Sequence, residues 1–469
     1  MQATKSLKLG NKKEVNMLSG SIMKGVMTIA IPIMIMNVLQ SLFNIIDKTI
    51  LKMYDTDYSV GAVGVSGSLI SLITGLVIGV SAGANVVIAR YIGKGDKDGV
   101  EKSVSTALIF SVISGVVLLL VGVIFAYPFM RMLNCDPDLM DGAALYFRMY
   151  FLGVPILMFY NFCAAILRSS GDSKSPMTYL TIGGVIKVAL TFLFVAVFKM
   201  QIVGVALATI ISWLASAILG GFALVRNDGV LKINFKKFRI YGEQLKEMLR
   251  IGIPTGLQQA LYSIANVIIV STVNTYGKDA TTGISIANDF DGILYQISTA
   301  PALAVMPYVS QNIGAKNIKR AKEAILKGMF ITVALGGTLG AMSAIFSAQL
   351  ASIMSSTPEV IKFAQQKMIL VSSTYFICGI NEILGAGLKG MGKPLIPMIS
   401  TMIFMCGIRF PWVWFIFPLY PNMTFLYAVW PIGWVLSIIM VTIFLIPTAK
   451  SWQRKFESEK QEEQQVIAE

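Results

Sequence analysis

The second half of this chain restates the first, about 221 residues further on, in strongly apolar sequence. Leu167-Arg168-Ser169-Ser170-Gly171, closing on Pro176-Met177, returns as Leu388-Lys389-Gly390-Met391-Gly392, closing on Pro397-Met398. Ile92-Gly93 returns as Ile313-Gly314. One residue further out, Ile31-Pro32 returns as Ile253-Pro254 and Asn44 as Asn266. A repeat of half a chain constrains the fold to two like lobes, each closing its own packing.

The solvent of those lobes follows from composition. The chain is 55% hydrophobic and only 14% charged, with a mean hydropathy of +0.70. A soluble core cannot hide so much apolar surface, so lipid must be the solvent for much of it. The net charge of +14 does not point to nucleic acid, because Lys and Arg gather in short stretches between apolar runs. Histidine is absent, which removes His-based metal sites, triads and proton relays. Cys135, Cys163, Cys378 and Cys406 have no CxxC spacing, and the three that lie in apolar segments read as small buried hydrophobes. Lys5, Lys8, Lys12, Lys13 and Lys24 precede the first apolar run with no cleavage site, as in a cytoplasmic lead-in.

Runs long enough to cross ~30 Å of hydrocarbon lie near 25–46, 60–89, 104–127, 143–167, 177–199 and 203–225. A second set lies near 251–273, 283–307, 328–350, 363–388, 395–417 and 423–447. The expected fold is therefore all-α, with twelve transmembrane helices in two six-helix lobes. With six spans each, the second lobe re-enters the membrane in the orientation of the first, as a parallel repeat about the membrane normal. Residues 1–225 are the first lobe, 226–250 a basic linker, 251–450 the second lobe and 451–469 a polar, frayed tail. Cytoplasmic termini put most of the 39 Lys and Arg inside. The outer turns then keep only Lys48, Lys52, Arg131, Lys199, Lys278, Lys362 and Lys367. Trp412, Trp414, Tyr420, Tyr427, Trp430 and Trp434 read largely as an interfacial belt.

Taken together, Ile-Pro in the first helix of each lobe, Ile-Gly after the second and Leu-Arg-x-x-Gly-Asp-x-x-x-Pro-Met after the fourth resemble the MATE (multidrug and toxic compound extrusion) family. Gln311-Asn312-Ile313-Gly314-Ala315 is similar to the form seen in bacterial members. The resemblance covers roughly residues 20–447. It implies an exporter, not an enzyme, that moves bulky and often cationic organic compounds out of a bacterial cell across its plasma membrane. Alternating access of two lobes, driven by H⁺ or Na⁺, is the implied mechanism. No cofactor is expected, a monomer is, and small organic solutes and the bilayer are the partners. A lipid-linked oligosaccharide flippase of the same broad plan is the alternative, and a cavity rich in Arg and Lys would favour it.

An ionisable side chain inside a span is costly and is a functional candidate by default. Asp47 matches the family's first-helix aspartate, tied to ion coupling; the plainer reading is an interfacial carboxylate held by Lys48 or Lys52. In the fifth helix the family's Asn and Asp, which help to hold Na⁺, are replaced by Lys187 and Thr191, while Thr209 matches a later Thr. Losing that carboxylate and gaining an ammonium argues against a Na⁺ site, and the two readings of Lys187 are an ion pair with Asp47 in its place or an ammonium solvated in the aqueous cavity. Asn44, Asn161, Asn266, Asp289, Asp291, Glu382 and Arg409 are candidates to line the substrate cavity. Asp289 and Asp291 cannot share one helix face, and a Glu382–Arg409 pair is one of two readings of Glu382, the other being a drug or proton site. No metal site is expected, and the Gly motifs at Gly93 and Gly314 lack the features of a phosphate loop. Single-cysteine labelling in a cysteine-free background should find positions near Lys236 reachable only from the cytoplasm. Positions near Asp136 and Asn422 should react only from outside, and the reverse pattern would overturn this topology.

Overall fold

The structure is a computed structural model that describes residues 14–54, 57–132 and 135–468. Lys5, Lys8, Lys12 and Lys13, and the side chains of Lys48 and Lys52, lie outside the described residues. In hydrocarbon a segment must satisfy its own backbone N–H and C=O groups, so apolar runs of this length fold as helices. The first lobe supplies α1 (Ile22–Tyr54), α2 (Asp57–Lys94), α3 (Lys97–Ile124), α4 (Pro137–Ser169), α5 (Lys174–Val197) and α6 (Gln201–Val225). The second supplies α7 (Gly242–Asn274), α8 (Lys278–Gly314), α9 (Ile318–Ile345), α10 (Pro358–Gly390), α11 (Leu395–Leu419) and α12 (Met423–Gln465). Eleven are long and apolar enough to cross a membrane by length and composition. The twelfth, α8, is the counterpart of α2 and carries Lys278, Asp279, Asp289 and Asp291. The chain is an all-α membrane protein built on a two-lobe plan, with no strand among the described residues.

The repeat extends to details that the sequence motifs do not mark. A short helix, Ala126–Met132, follows α3, and another, Ser347–Met354, follows α9 at the same place in the second lobe. Gly171 and Gly392, which end the matching Leu-x-x-x-Gly motifs, both turn through positive φ, at 94° and 80°. Gly95 does so at 72°, and its counterpart Lys316 at 57°. A left-handed lysine costs roughly 1 kcal/mol, so the turn is kept even where glycine is not. Lys316 also holds the end of α12, with Nζ 2.9 Å from Glu459 and 3.1 Å from Glu463. The tail expected to fray is accordingly one continuous helix, Val429–Ala468.

By packing, the described chain divides into two compact units. One is built mainly from Ile35–Ile88 and Asp96–Gly256, the other from Asn16–Met34, Ala89–Gly95 and Leu257–Glu469. Helices α1, α2 and α7 therefore contribute segments to both. Lipid gives apolar side chains no reason to prefer each other, so membrane helices associate through close backbone approach at small residues. Within the first unit, a Cβ placed on Gly83 would lie 2.2 Å from the Met248 carbonyl oxygen, and α2 meets α7 there. Within the second, a Cβ on Gly93 would lie 1.9 Å from Gln311 O, and one on Gly314 would lie 2.1 Å from Arg90 O. Arg90 and Gln311 are themselves repeat counterparts, so the ends of α2 and α8 cross through the same contact made twice.

The aromatic cluster departs from an interfacial belt. Trp414 and Tyr420 are exposed, but Trp412, Tyr427, Trp430 and Trp434 are buried in the apolar core of the second unit. Close approach at Gly93 and Gly314 predicts that Gly93→Ala and Gly314→Ala each lower the thermal midpoint of the purified protein by several degrees, since overpacking costs about 1–3 kcal/mol. Gly337→Ala, where a Cβ meets nothing within 4 Å, should leave the midpoint unchanged or raise it.

Candidate functional site

In the first lobe, α1 and α5 meet through their polar side chains. Lys187 Nζ lies 2.5 Å from Asp47 Oδ2 and donates to Asn44 Oδ1 at 3.2 Å. The other carboxylate oxygen of Asp47 accepts from Thr191 Oγ1 at 3.0 Å. Asn44 and Asp47 lie three apart on α1, and Lys187 and Thr191 four apart on α5, so each pair projects from one helical face. The lysine and aspartate side chains are only 13% and 8% exposed, so the pair is largely removed from solvent. Thr209 does not join them: its hydroxyl donates to Val205 O of its own helix at 2.9 Å. Asn161 likewise donates to Leu157 O, one turn back on α4.

The second lobe repeats half of this arrangement. Arg409 Nη1 donates to Asn266 Oδ1 at 2.8 Å. Arg409 is the counterpart of Lys187 and Asn266 that of Asn44, and both bonds span 143 residues of sequence. The carboxylate is what the second lobe lacks: the position matching Asp47 is Ile269, which is buried. Arg409 is 1% exposed and reaches its place from α11 between two π-helical stretches, Thr401–Gly407 and Trp412–Ile416. Pro411, with no N–H to give the ladder, accounts for the local break. Glu382 does not pair with Arg409; its Oε1 is buried without a hydrogen-bond partner, and it lies within electrostatic reach of Tyr262, Tyr295, Cys378 and Lys389.

The acid that the second lobe does use is Asp291. Lys367 Nζ on α10 lies 2.8 Å from Asp291 Oδ2 and also contacts Asn288 Oδ1, while Asp291 Oδ1 accepts from Ser372 Oγ at 2.6 Å. The ammonium is again held by one Asp and one Asn, with a hydroxyl on the spare carboxylate oxygen. Here, however, the helices are α8 and α10 rather than the counterparts of α1 and α5. Lys367, expected in an outer turn, is 3% exposed. Its place inside the apolar run at 363–388 is the sequence signal for burial, although it stands close enough to the start of that run to read as part of the turn. Asn288 and Ser372 carry no motif that singles them out. Asp289 is exposed and stands apart from its neighbour, as two residues on one helix must.

Some of these groups border a cavity of about 360 Å³ within the second unit. Asn266, Asn288, Asp291 and Lys367 supply its polar wall, and Tyr262, Tyr295, Tyr375, Trp430 and Trp434 its aromatic one. Among the described residues no three His, Cys, Asp or Glu side chains gather as metal ligands. Both oxygens of Asp47 have partners, Lys187 Nζ on one and Thr191 Oγ1 on the other.

Removing one partner of a buried pair strands the other charge and costs about 3–5 kcal/mol, more than removing both. Lys187→Ala should therefore lower the thermal midpoint further than the double change Asp47→Asn with Lys187→Asn, as read by thermal unfolding of the purified proteins. Equal effects would mean that the pair is not held as a unit.

Comparison with known proteins identifies the family. The family model described as MatE matches residues 32–193 and 254–415, one match in each half of the chain. The Bacillus subtilis protein named "Probable multidrug resistance protein YoeA" is 27% identical, over 90% of this chain and 93% of its own. A protein of Shewanella oneidensis named "FAD transporter" is 24% identical, over 78% of this chain and 81% of its own. Among solved structures, an outward-facing multidrug resistance MATE family transporter of the MOP superfamily superposes with a TM-score of 0.87 at 22% identity. It covers 95% of this chain and 99% of that one.

Proposed function

The chain belongs to the MatE family, whose members are membrane transporters and not enzymes, and from that premise we propose that it exports organic, often cationic compounds across the bacterial cell membrane in exchange for protons. Relatives named for multidrug resistance support the substrate class. The observation that carries the coupling is the Asp47–Lys187 pair. An ammonium occupies the coordination space that a hard cation would need, which favours H⁺ over Na⁺ at this site. Protonating Asp47 removes the charge that holds Lys187, leaving the ammonium with Asn44 and with whatever water it can reach. Either outcome repacks α1 against α5, and that repacking is the element by which a proton biases the lobe between its states. Alternating access follows from two such lobes, the protein working as a monomer with both termini in the cytoplasm.

Cells expressing the chain should extrude ethidium, and Asp47→Asn should cut that efflux sharply at equal expression. In inverted vesicles an imposed proton gradient should drive dye movement and a Na⁺ gradient alone should not. Full efflux by Asp47→Asn would remove Asp47 from the mechanism. Na⁺-driven efflux that survives Lys187→Ala would move the coupling site elsewhere.

A further inference from the structure

Residues 232–241 of the basic linker carry four cations and no acid, and they are held in one shape. Asn234 caps the turn Phe235–Lys237, its Oδ1 accepting from Lys236 N at 3.1 Å. On α3, Ser105 Oγ accepts from Arg239 N at 2.9 Å and Thr106 Oγ1 from Tyr241 N at 3.1 Å. Lys237 Nζ reaches Asp98 and Glu101 of the same helix at 2.8 Å and 3.3 Å. Ile233 N donates to Leu224 O in the last turn of α6. Ser105 and Leu224 stand at the ends of the apolar runs 104–127 and 203–225, so the turn is fastened where hydrocarbon gives way to headgroups. Ser105 also shares a helix face with Val112 and Val116, both exposed, which places the turn over the lipid-facing stripe of α3.

The anchored turn leaves apolar side chains uncovered. Phe235 is 68% exposed and Phe238 41%, their ring centres 6.2 Å apart, and Ile240 follows at 40%. Lys232, Lys236 and Arg239, interleaved with them, form no ion pair among the described residues, whereas Lys237 is committed to α3. Arg226 marks the same border at the end of α6, its guanidinium 4.3 Å from the centre of the exposed Phe222 ring. We propose that this turn is a docking surface for anionic phospholipid. Phe235, Phe238 and Ile240 enter the acyl boundary, while Lys232, Lys236 and Arg239 hold the headgroup phosphates. Apolar burial and attraction to a negative leaflet add on such a segment. A linker standing in water gains nothing from two exposed phenylalanines, and a protein partner would have to reach the depth that Ser105 and Leu224 set. Backbone bonds and Lys237 fix the turn beforehand, so the lipid contact bears little ordering cost. The surface goes beyond the export reading and does not need it.

The test reads which lipid touches the turn. The full chain carrying Ile240→Cys in a cysteine-free background is labelled with bimane and placed in nanodiscs of equal parts phosphatidylcholine and phosphatidylglycerol. Bromine on the acyl chains of one lipid at a time quenches a bimane in contact with that lipid. Brominated phosphatidylglycerol should show an apparent affinity at least about fivefold that of brominated phosphatidylcholine, the scale of one basic side chain at an anionic surface. High salt should shrink that preference. Lys236→Gln with Arg239→Gln should remove it yet leave quenching by both lipids, since these residues hold the turn through their backbone. Phe235→Ser with Phe238→Ser should weaken quenching by both. Equal quenching by the two lipids with Lys236 and Arg239 in place would overturn the proposal. So would a bimane that neither lipid quenches, the result for a turn facing water or a second protein. Both of these comparisons need only the labelled chain, so they decide the matter even where the glutamine pair fails to fold. The two leaflets of a nanodisc are alike, so the result does not depend on which end of the first lobe is cytoplasmic.

Discussion

A charge inside a membrane protein has to be answered by the groups next to it, because lipid offers neither ions nor hydrogen bonds. Both lobes are arranged around that requirement. In the first, Lys187 draws α5 onto α1 through Asp47 and Asn44. In the second, Lys367 draws α10 onto α8 through Asp291 and Asn288, and Arg409 draws α11 onto α7 through Asn266. Apolar packing between these helices supplies little orientation by itself, since leucine gains about as much from lipid as from a neighbouring helix. Glycine contacts set how closely helices approach, and the ion pairs set which faces meet.

Much of this is legible in the sequence, and the reason is periodicity. A repeat spread over a half-chain survives divergence at single positions, so Gly93 pairs with Gly314, and Gly171 with Gly392, on residue order alone. Lys187 is conspicuous because it stands in the middle of an apolar run, and the resemblance to the family's first-helix aspartate is what singles out Asp47 as its partner. What the sequence conceals are contacts between helices that the repeat does not relate. Asp291 and Lys367 correspond to Ile70 and Tyr146 in the first lobe, so nothing there hints that they meet. A pairing of Glu382 with Arg409 is reasonable on charge alone and fails on geometry, because α11 carries Arg409 towards α7 and Asn266. The burial of Trp430 and Trp434 is hidden for a related reason. Composition near a membrane edge suggests a belt, whereas burial depends on which face of α12 the cavity occupies.

The lobes have diverged by exchanging partners while keeping the amide. Asn44 and Asn266 do the same work, accepting from a cation 143 residues further on. The first lobe adds a carboxylate one turn later on α1, and the second puts Ile269 there. The change is not compensated within the same pair of helices. Instead the second lobe places its acid on α8 and matches it to a new lysine on α10, which leaves Arg409 with an uncharged partner and the face of Trp430. Thr191 and Ser372 show that the spare carboxylate oxygen is satisfied in the same manner on both sides, by a hydroxyl on the helix that carries the lysine or immediately beyond it.

That divergence has a consequence for how each lobe can respond to protons. A lysine–aspartate pair can be undone by one proton on the carboxylate, after which the ammonium is free to find water or to lose its own proton. An arginine held by an amide cannot be undone in that way, because neither partner titrates in any accessible range. The α1–α5 contact is therefore an ion pair and the α7–α11 contact a charge held by a neutral amide, although they occupy equivalent places in the repeat. The pair on α8 and α10 also joins a lysine to an aspartate, but Asp291 and Lys367 are more deeply buried than Asp47 and Lys187, with side chains 5% and 3% exposed against 8% and 13%. The lobe that has kept its acid on the first helix thus holds the more exposed of the two pairs. The lobe that has lost it keeps a permanent positive charge beside an aromatic chamber.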